Sequence, residues 1–359
     1  VYVDWIIQIL LLKTIKHQFM TLTYKQAGVN VQNIKKSQKE IGRIIASTHN
    51  LQKNVKVKHG FGHYAGIVTV SDKVTLAMHT DGVGTKVLIA NMMKKYDTIG
   101  IDCIAMNVND IICVGATPIS FVDYIAANKN DKKIFTQITK GLVKGAKLAQ
   151  VPIVGGETAI MPDLFSGKGF SFDLSGMVVG MLPKRKLVLG NSITRGDVII
   201  GIKSSGLHSN GYSLARKILL SKYSIKDRIR GVGKLGNVLL TPTQIYVKPV
   251  LEILEKCKVH GLAHITGGAF TKLLRLKKIG YDLFNMPQVP LIMQLIEDKG
   301  VKSDEMYKTF NMGIGFCIIS PKDEVRKINS IIKKHRLQSQ EIGKITNKIG
   351  VFVNSKKIA

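Results

Sequence analysis

At 359 residues, with 45% of them hydrophobic, the chain is long for a single core and suited to two domains of an ordinary globular enzyme. Its formal net charge of +29, from 53 Lys and Arg against 24 Asp and Glu, would by itself fit nucleic acid, an anionic membrane surface or phosphorylated ligands. The lysines are spread along the chain, and aromatics make up 6% with no basic-aromatic alternation of the kind that stacks bases. Most of the charge therefore reads as solvated surface, a minority of it attracting anionic substrates, and neither nucleic acid nor a membrane is expected as a partner.

In chain order, residues 5–12 are apolar apart from Gln8, far short of the roughly 20 that cross a bilayer. No clear small-residue cleavage site follows them. Gly60-Phe61-Gly62-His63-Tyr64-Ala65 fits a loose dinucleotide-binding pattern. A basic stretch precedes it, however, and an alternating strand rather than a helix follows, which argues against a Rossmann site. Segments 67–70 and 74–79 read as strands. The second runs into His79-Thr80-Asp81-Gly82-Val83-Gly84-Thr85-Lys86, where Asp81 would project from a strand end beside glycines that let backbone amides approach phosphate oxygens. Magnesium prefers one or two carboxylates plus phosphate oxygens, so Asp81 is a candidate ligand; the alternative is a turn cap. Segments 86–94 and 97–114 read as helices, the second closing at Gly115 with Pro118 beyond as a stop. It carries Asp110, either a second carboxylate for the same cation or a solvated helix residue.

Segment 119–126 reads as a strand and 132–150 as a helix. A short apolar run, 151–154, leads to Gly155-Gly156-Glu157. The glycines suggest a tight turn, and Glu157 is a third acidic candidate at a strand-to-loop junction, where open sheets place ligands. Segment 172–181 is the last strong strand of this half, and the basic, Pro-containing stretch 182–194 reads as a linker. The second half opens with strand 197–202 and continues through a glycine-serine loop into helices 212–220 and 243–257. In that loop Ser204, Ser205, His208, Ser209 and Asn210 precede a helix start and could cradle an anion, or simply cap the helix. His264, ahead of the turn Thr266-Gly267-Gly268, could bind or protonate a substrate or be structural. The alternation is that of an α/β or α+β protein. No G-x-x-x-x-G-K-[ST] is present, which excludes a P-loop. Cys103, Cys113, Cys257 and Cys317 lack zinc-site or disulfide-framework spacing and suit a reducing, cytoplasmic setting.

Residues 110–118 fit D-x4-G-A-x-P. Together with TDGVGTK at 80–86, GGETA at 155–159, SSGLHSNGYS at 204–213, LLTPTQIYVK at 239–248 and AHITGG at 263–268, they make the chain from about Tyr24 onward resemble the phosphoribosylformylglycinamidine cyclo-ligase (aminoimidazole ribonucleotide synthetase) family. The acidic elements are shared with a wider superfamily, while 204–213 and 263–268 point to the cyclo-ligases. The resemblance implies a two-domain α/β fold. Residues 20–185 would bind ATP and dimerise through strands forming a barrel-like centre, 190–359 would hold the substrate, and 1–19 would be an extension or a misassigned start. It implies ATP, magnesium, room for potassium, and a homodimer. ATP would activate the formyl amide oxygen of formylglycinamidine ribonucleotide as an iminophosphate, so that a neighbouring nitrogen closes the five-membered imidazole ring, releasing ADP and phosphate.

 Phosphorylation turns that oxygen into a good leaving group while the tethered nitrogen already sits at high effective concentration. In this reading Asp81, Asp110 and Glu157 hold metal, Lys86 neutralises phosphate, and His264 serves the chemistry. Gly60, Gly62, Gly82, Gly84, Thr85, Gly115, Gly155 and Gly156 line the nucleotide. Ser204, Ser205, His208, Ser209, Asn210, Thr266, Gly267 and Gly268 contact the substrate, whose ribose 5-phosphate suits the 204–211 loop. His59 and His63-Tyr64 depart from the glycine-rich flap of the family. The competing readings are another ATP-using phosphotransferase of the superfamily and, from charge alone, a basic nucleic-acid-binding protein.

Overall fold

Alternating apolar residues in the first half build one sheet and bury one of its faces. The computed structural model describes residues 23–165, 169–182 and 187–359, so the expected extension at 1–19 and residues 183–186 of the expected linker lie outside the described residues. Helix α1 (Val31–Ala46) precedes strands β1 (Lys56–His59), β2 (Gly66–Ser71) and β3 (Val74–Gly82). A 3-10 turn (Gly84–Lys86) leads to α2 (Val87–Met93) and α3 (Ile99–Ile112), followed by β4 (Thr117–Ala127), α4 (Lys132–Ala149), β5 (Ile153–Ile160) and β6 (Phe172–Leu182). The strands form a six-stranded sheet in the order β1-β2-β3-β6-β4-β5. Along β6, Phe172, Leu174, Gly176, Val178, Gly180 and Leu182 are buried, while Asp173, Met177 and Met181 between them are exposed. One face is thus covered by helices and the other is open among the described residues.

The second half forms a seven-stranded sheet. Its elements in chain order are β7 (Val198–Lys203), α5 (Tyr212–Leu219), β8 (Arg228–Ile229), β9 (Gly233–Lys234), α6 (Leu235–Leu239), α7 (Val247–Lys256), β10 (Gly261–His264), β11 (Gly280–Leu283), α8 (Leu291–Asp298), α9 (Ser303–Thr309), β12 (Ile314–Ser320), α10 (Val325–Lys334), β13 (Ser339–Thr346), β14 (Gly350–Val353) and β15 (Lys356–Lys357). The sheet order is β10-β12-β7-β13-β11-β14-β15, and β8 pairs with β9 separately. β7 and β12 are buried almost throughout, as central strands should be.

Three elements differ from the sequence expectation. β3 runs to Gly82, so Asp81 belongs to the strand and pairs with Gly176. Gly155 and Gly156 lie inside β5 rather than in a turn. A Cβ on Gly156 would come within 2.5 Å of Asp123 Oδ1, so the glycine makes room for a carboxylate on the neighbouring strand. The helix expected over 243–257 begins only at Val247, because the preceding backbone is held by other partners: Thr243 N–H donates to Asp102 Oδ1 at 2.7 Å and Tyr246 N–H to Asn109 Oδ1 at 2.9 Å.

All fourteen residues of α3 are buried. It approaches α4 closely through glycines: a Cβ on Gly100 would lie 2.3 Å from Leu142 N and 2.4 Å from Ile138 O, and one on Gly141 would lie 2.5 Å from Asp97 O. Replacing Gly100 with alanine should improve helix propensity yet force two backbones apart, with the clash winning by about 1–3 kcal/mol. A denaturant midpoint that falls for G100A checks this; an unchanged or raised midpoint would refute the close crossing.

Candidate functional site where the two sheets meet

The site is built around α3, a buried helix whose polar side chains find partners on both sides. Asn107 donates to the carbonyl of Asp81 at 3.1 Å, tying the end of β3 to the helix. The Asp81 carboxylate accepts from Gly82 N–H at 2.8 Å. One turn further along α3, Asp110 is only 4% exposed, so it is not the solvated helix residue that was one option. Its Oδ1 lies 2.6 Å from His264 Nδ1 and its Oδ2 lies 3.6 Å from His79 Nε2. Burial alone would raise the Asp110 pKa, but Lys272, the His264 hydrogen bond and His79 together hold it well below the usual carboxylate range. Asp81 is raised instead, first by burial and then by Asp110 itself. A charged carboxylate that raises its neighbour in a partly dry site makes a suitable place for a cation, and magnesium needs no more than two when phosphate oxygens complete its shell.

Glu157 does not join them. The sheet register runs Asp81 to Gly176 to Asp123 to Gly156, so these four positions share the helix-covered face. Glu157 follows Gly156, pairs with Tyr124, and is therefore on the opposite face, where it is exposed and accepts from Thr158 N–H. The expected three-carboxylate metal set is corrected accordingly, and among the described residues no cluster of three His, Cys, Asp or Glu side chains suited to a metal is present.

Lys86 and His264 are also placed differently from expectation, since both are fully buried. Lys86 Nζ lies 3.0 Å and 2.8 Å from the two oxygens of Asp102, and donates to the carbonyls of His208 at 3.1 Å and Thr241 at 2.7 Å. It has no free face with which to neutralise a phosphate. Burial pulls its pKa down while Asp102 pulls it back up. His264 likewise offers no exposed atom for protonating a substrate; it orients Asp110. Asn109 Nδ2 lies 3.4 Å from His264 Nε2, an arrangement that fits a neutral ring with its proton on Nδ1 toward Asp110. Burial, opposed by Asp110, lowers the His264 pKa.

The 204–211 loop joins β7 to α5 and reaches the same junction. Most of its side chains bond within the protein: Ser204 Oγ donates to Asn311, Ser205 Oγ to the Pro242 carbonyl, and Ser209 Oγ to Asp102. His208 is buried at φ +62°. Asn210 differs. Its Oδ1 would lie 2.9 Å from a Cβ on Gly267, so the loop meets the Thr266-Gly267-Gly268 turn, and its Nδ2 is buried without a hydrogen-bond partner among the described residues. Thr266 accepts from Lys272, whose ammonium also lies 5.4 Å from the Tyr64 ring. Thr85 and Ser213 approach across the junction at 3.4 Å. Gly84, Gly115 and Gly268 all take positive φ, as their turns require. A Cβ on Gly60 would lie 2.6 Å from the His49 ring, and Gly62, at φ +122°, begins the approach to buried Tyr64.

Asp102, Asp123, Thr243 and Lys272 were not singled out from the sequence. Asp102 was detectable as a carboxylate two turns before Asp110 in an otherwise apolar helix, which demands a buried partner. Lys272, in the 3-10 segment Ala269–Arg275, carried no comparable signal.

Two family profiles match the chain: AIR synthase related protein, N-terminal domain, over residues 62–182, and its C-terminal domain over residues 194–355. The chain is 46% identical over 336 residues to the phosphoribosylformylglycinamidine cyclo-ligase of Thermococcus kodakarensis, covering 93% of this chain and 98% of the relative. It is 47% identical over 325 residues to the enzyme of that name from Pyrococcus horikoshii, covering 90% and 95%. Among solved structures, AaThiL complexed with AMPPCP and TMP superposes with a TM-score of 0.63 at 17% identity, covering 89% of this chain and 95% of that one, a likeness of fold.

Burial holds His63 down at about 4 and lowers His208 further below the ordinary 6.5, so both are neutral in the folded protein. In the unfolded chain they take up protons near 6.5. Their contribution is therefore fully present above that pH and is lost as pH falls from there toward 4. The thermal midpoint should drop across this window, and His63→Gln should make the drop shallower. Identical pH slopes for the wild type and the variant would contradict the assignment.

Proposed function

The chain belongs to the AIR synthase related family as one of its phosphoribosylformylglycinamidine cyclo-ligases, and from that premise we propose that its reaction centre lies where Asp81 and Asp110 meet the 204–211 loop. The protein catalyses the ATP-dependent cyclisation of formylglycinamidine ribonucleotide to aminoimidazole ribonucleotide, with release of ADP and phosphate, in purine biosynthesis. The observation that carries the placement is that α3 bonds the Asp81 carbonyl through Asn107 and presents Asp110 one turn further on, close enough for its charge to act on the Asp81 carboxylate. Magnesium bound there would neutralise nucleotide phosphate, with Asp81 and Asp110 as its protein ligands.

The chain's own groups then have distinct tasks. His264 and His79 fix the Asp110 carboxylate. Lys272, whose charge acts on both Asp110 and Asp81, takes over part of the phosphate neutralisation first expected of Lys86. The unpartnered Asn210 amide and the backbone amides leading into α5 suit the substrate phosphate. Holding the amidine nitrogen beside the activated carbon supplies the ring closure with its effective concentration. Asp81→Asn and Asp110→Asn should each lower amidine-stimulated ADP release by about 10²-fold or more, measured by a coupled assay with magnesium ATP. Wild-type ADP release indifferent to formylglycinamidine ribonucleotide would sink the placement and the activity together.

We also propose a homodimer and a cytoplasmic setting. The open face of the first sheet carries Tyr124, Met177 and Met181, each more than a third exposed, on paired strands. A second copy would cover such a surface. Sedimentation should find a dimer for the wild type and a shift toward monomer for Met177→Asp; a wild-type monomer at micromolar concentration would rule the dimer out. The four cysteines are free, as a reducing compartment would keep them.

A further inference from the structure

The buried Lys86 and Asp102 are not used by the chemistry, and each of them bonds to both halves of the protein. Lys86 ends the turn that follows Asp81 and lies in the first half, but two of its acceptors are backbone carbonyls of the second, those of His208 and Thr241. Asp102 sits on α3 eight residues before Asp110, about 12 Å along the same helix. Its Oδ1 accepts from Thr243 N–H at 2.7 Å, Thr243 Oγ1 at 2.6 Å and Ser209 Oγ at 3.0 Å, all from the second half. Ser209 and Thr243 lie 3.2 Å from each other, closing the network. The Tyr212 ring lies 5.6 Å from the ammonium and covers it.

We infer that Lys86 and Asp102 are positioning residues for the cyclisation: a dry ion pair that sets the register between the Asp81 turn, α3 and the 204–211 loop. This rests on the placement of the reaction at that junction. A buried ion pair is a poor way to gain stability, since well-packed apolar residues often do as well. What it adds is direction. The three donors on Asp102 and the acceptors around Lys86 are satisfied in one relative placement of the two halves, and apolar packing would tolerate sliding. The Lys86 bond to the His208 carbonyl also holds that residue at its positive φ, which a non-glycine residue adopts reluctantly. The pair therefore shapes the loop that carries Asn210 while touching no substrate.

The test uses the full chain with Lys86→Met, Asp102→Asn and the milder Thr243→Val, which keeps the ion pair and removes one donor to Asp102. Each is assayed well below its own thermal midpoint. Positioning predicts a kcat lower by about tenfold or more in the first two, and a raised amidine KM in all three. Affinity for a magnesium ATP analogue, read by calorimetry, should stay within about threefold. Hydrogen exchange should quicken at residues 204–211 in every folded variant, a readout independent of the reaction. Lowered midpoints with unchanged kcat, KM and loop exchange would reduce the pair to a stability element and overturn the inference. If Lys86→Met and Asp102→Asn do not fold, Thr243→Val decides by the same readouts. An inactive wild type with normal loop protection would instead indict the proposed reaction centre, an outcome distinct from active variants with wild-type kinetics.

Discussion

An apolar helix that buries four polar side chains is the constraint from which the site follows. α3 has no solvent-facing stripe, yet it carries Asp102, Asn107, Asn109 and Asp110. Each would cost several kcal/mol if left unpaired in a dry interior. The partners come from elsewhere in the chain: Lys86 and Thr243 for Asp102, the Asp81 carbonyl for Asn107, Tyr246 N–H and the Gln244 carbonyl for Asn109, His264 for Asp110. Docking the second sheet against the first is thus the same event as satisfying the helix. The acidic centre and the domain junction coincide because one helix requires both.

The three carboxylates near the junction illustrate how environment divides one functional group into different roles. Asp102 is fully buried, its Oδ1 accepting from Lys86, Ser209 and Thr243 while its Oδ2 faces the Lys86 ammonium at 2.8 Å, so its charge is already paired. Asp110 is held charged by Lys272, His264 and His79, so it stays anionic despite its burial. Asp81 has a single backbone donor and feels Asp110 as a like charge, so it gains most from an added cation. In a protein of net charge +29 this local acidity is an exception, and it is confined by bonds rather than by composition. The global excess of lysine therefore says little about the centre, where Lys86 is paired with Asp102 and Lys272, bonded to Thr266, lies close enough for its charge to act on Asp110 and Asp81.

Much of this was legible in the sequence where the signal was local. Period-two alternation located β2, β3, β4 and β6, and helical length with end signals located α3 and α4, the latter capped by Asp131. The motifs put Asp110 on a helix and the 204–211 stretch between a strand and a helix, as the fold has them, whereas Asp81 lies within β3. What failed were inferences about where a side chain points in three dimensions. A lysine after a glycine turn looks like a phosphate ligand until a carboxylate sixteen residues later captures it. Thr243 looks helical until its N–H is taken by Asp102, 141 residues away in sequence. Neither partner is visible from spacing, because nothing in one strand or helix encodes which distant group will face it.

The acidic residues on β4 and β5 sharpen that point. Strand side chains alternate between faces, so within one row of the sheet only one of two adjacent residues can face the helices. The motif drew attention to Glu157, but the pairing of Gly156 with Asp123 puts that face's carboxylate on β4 instead. Gly156 is a glycine because Asp123 occupies the space its Cβ would take. Burial raises the Asp123 pKa, so this carboxylate too is more easily protonated than one in water. Glu157, on the outer face beside Tyr124, has no route to the Asp81 side of the sheet without breaking the register of two strands. A motif states which residues occur together; the pleat decides which of them can act together.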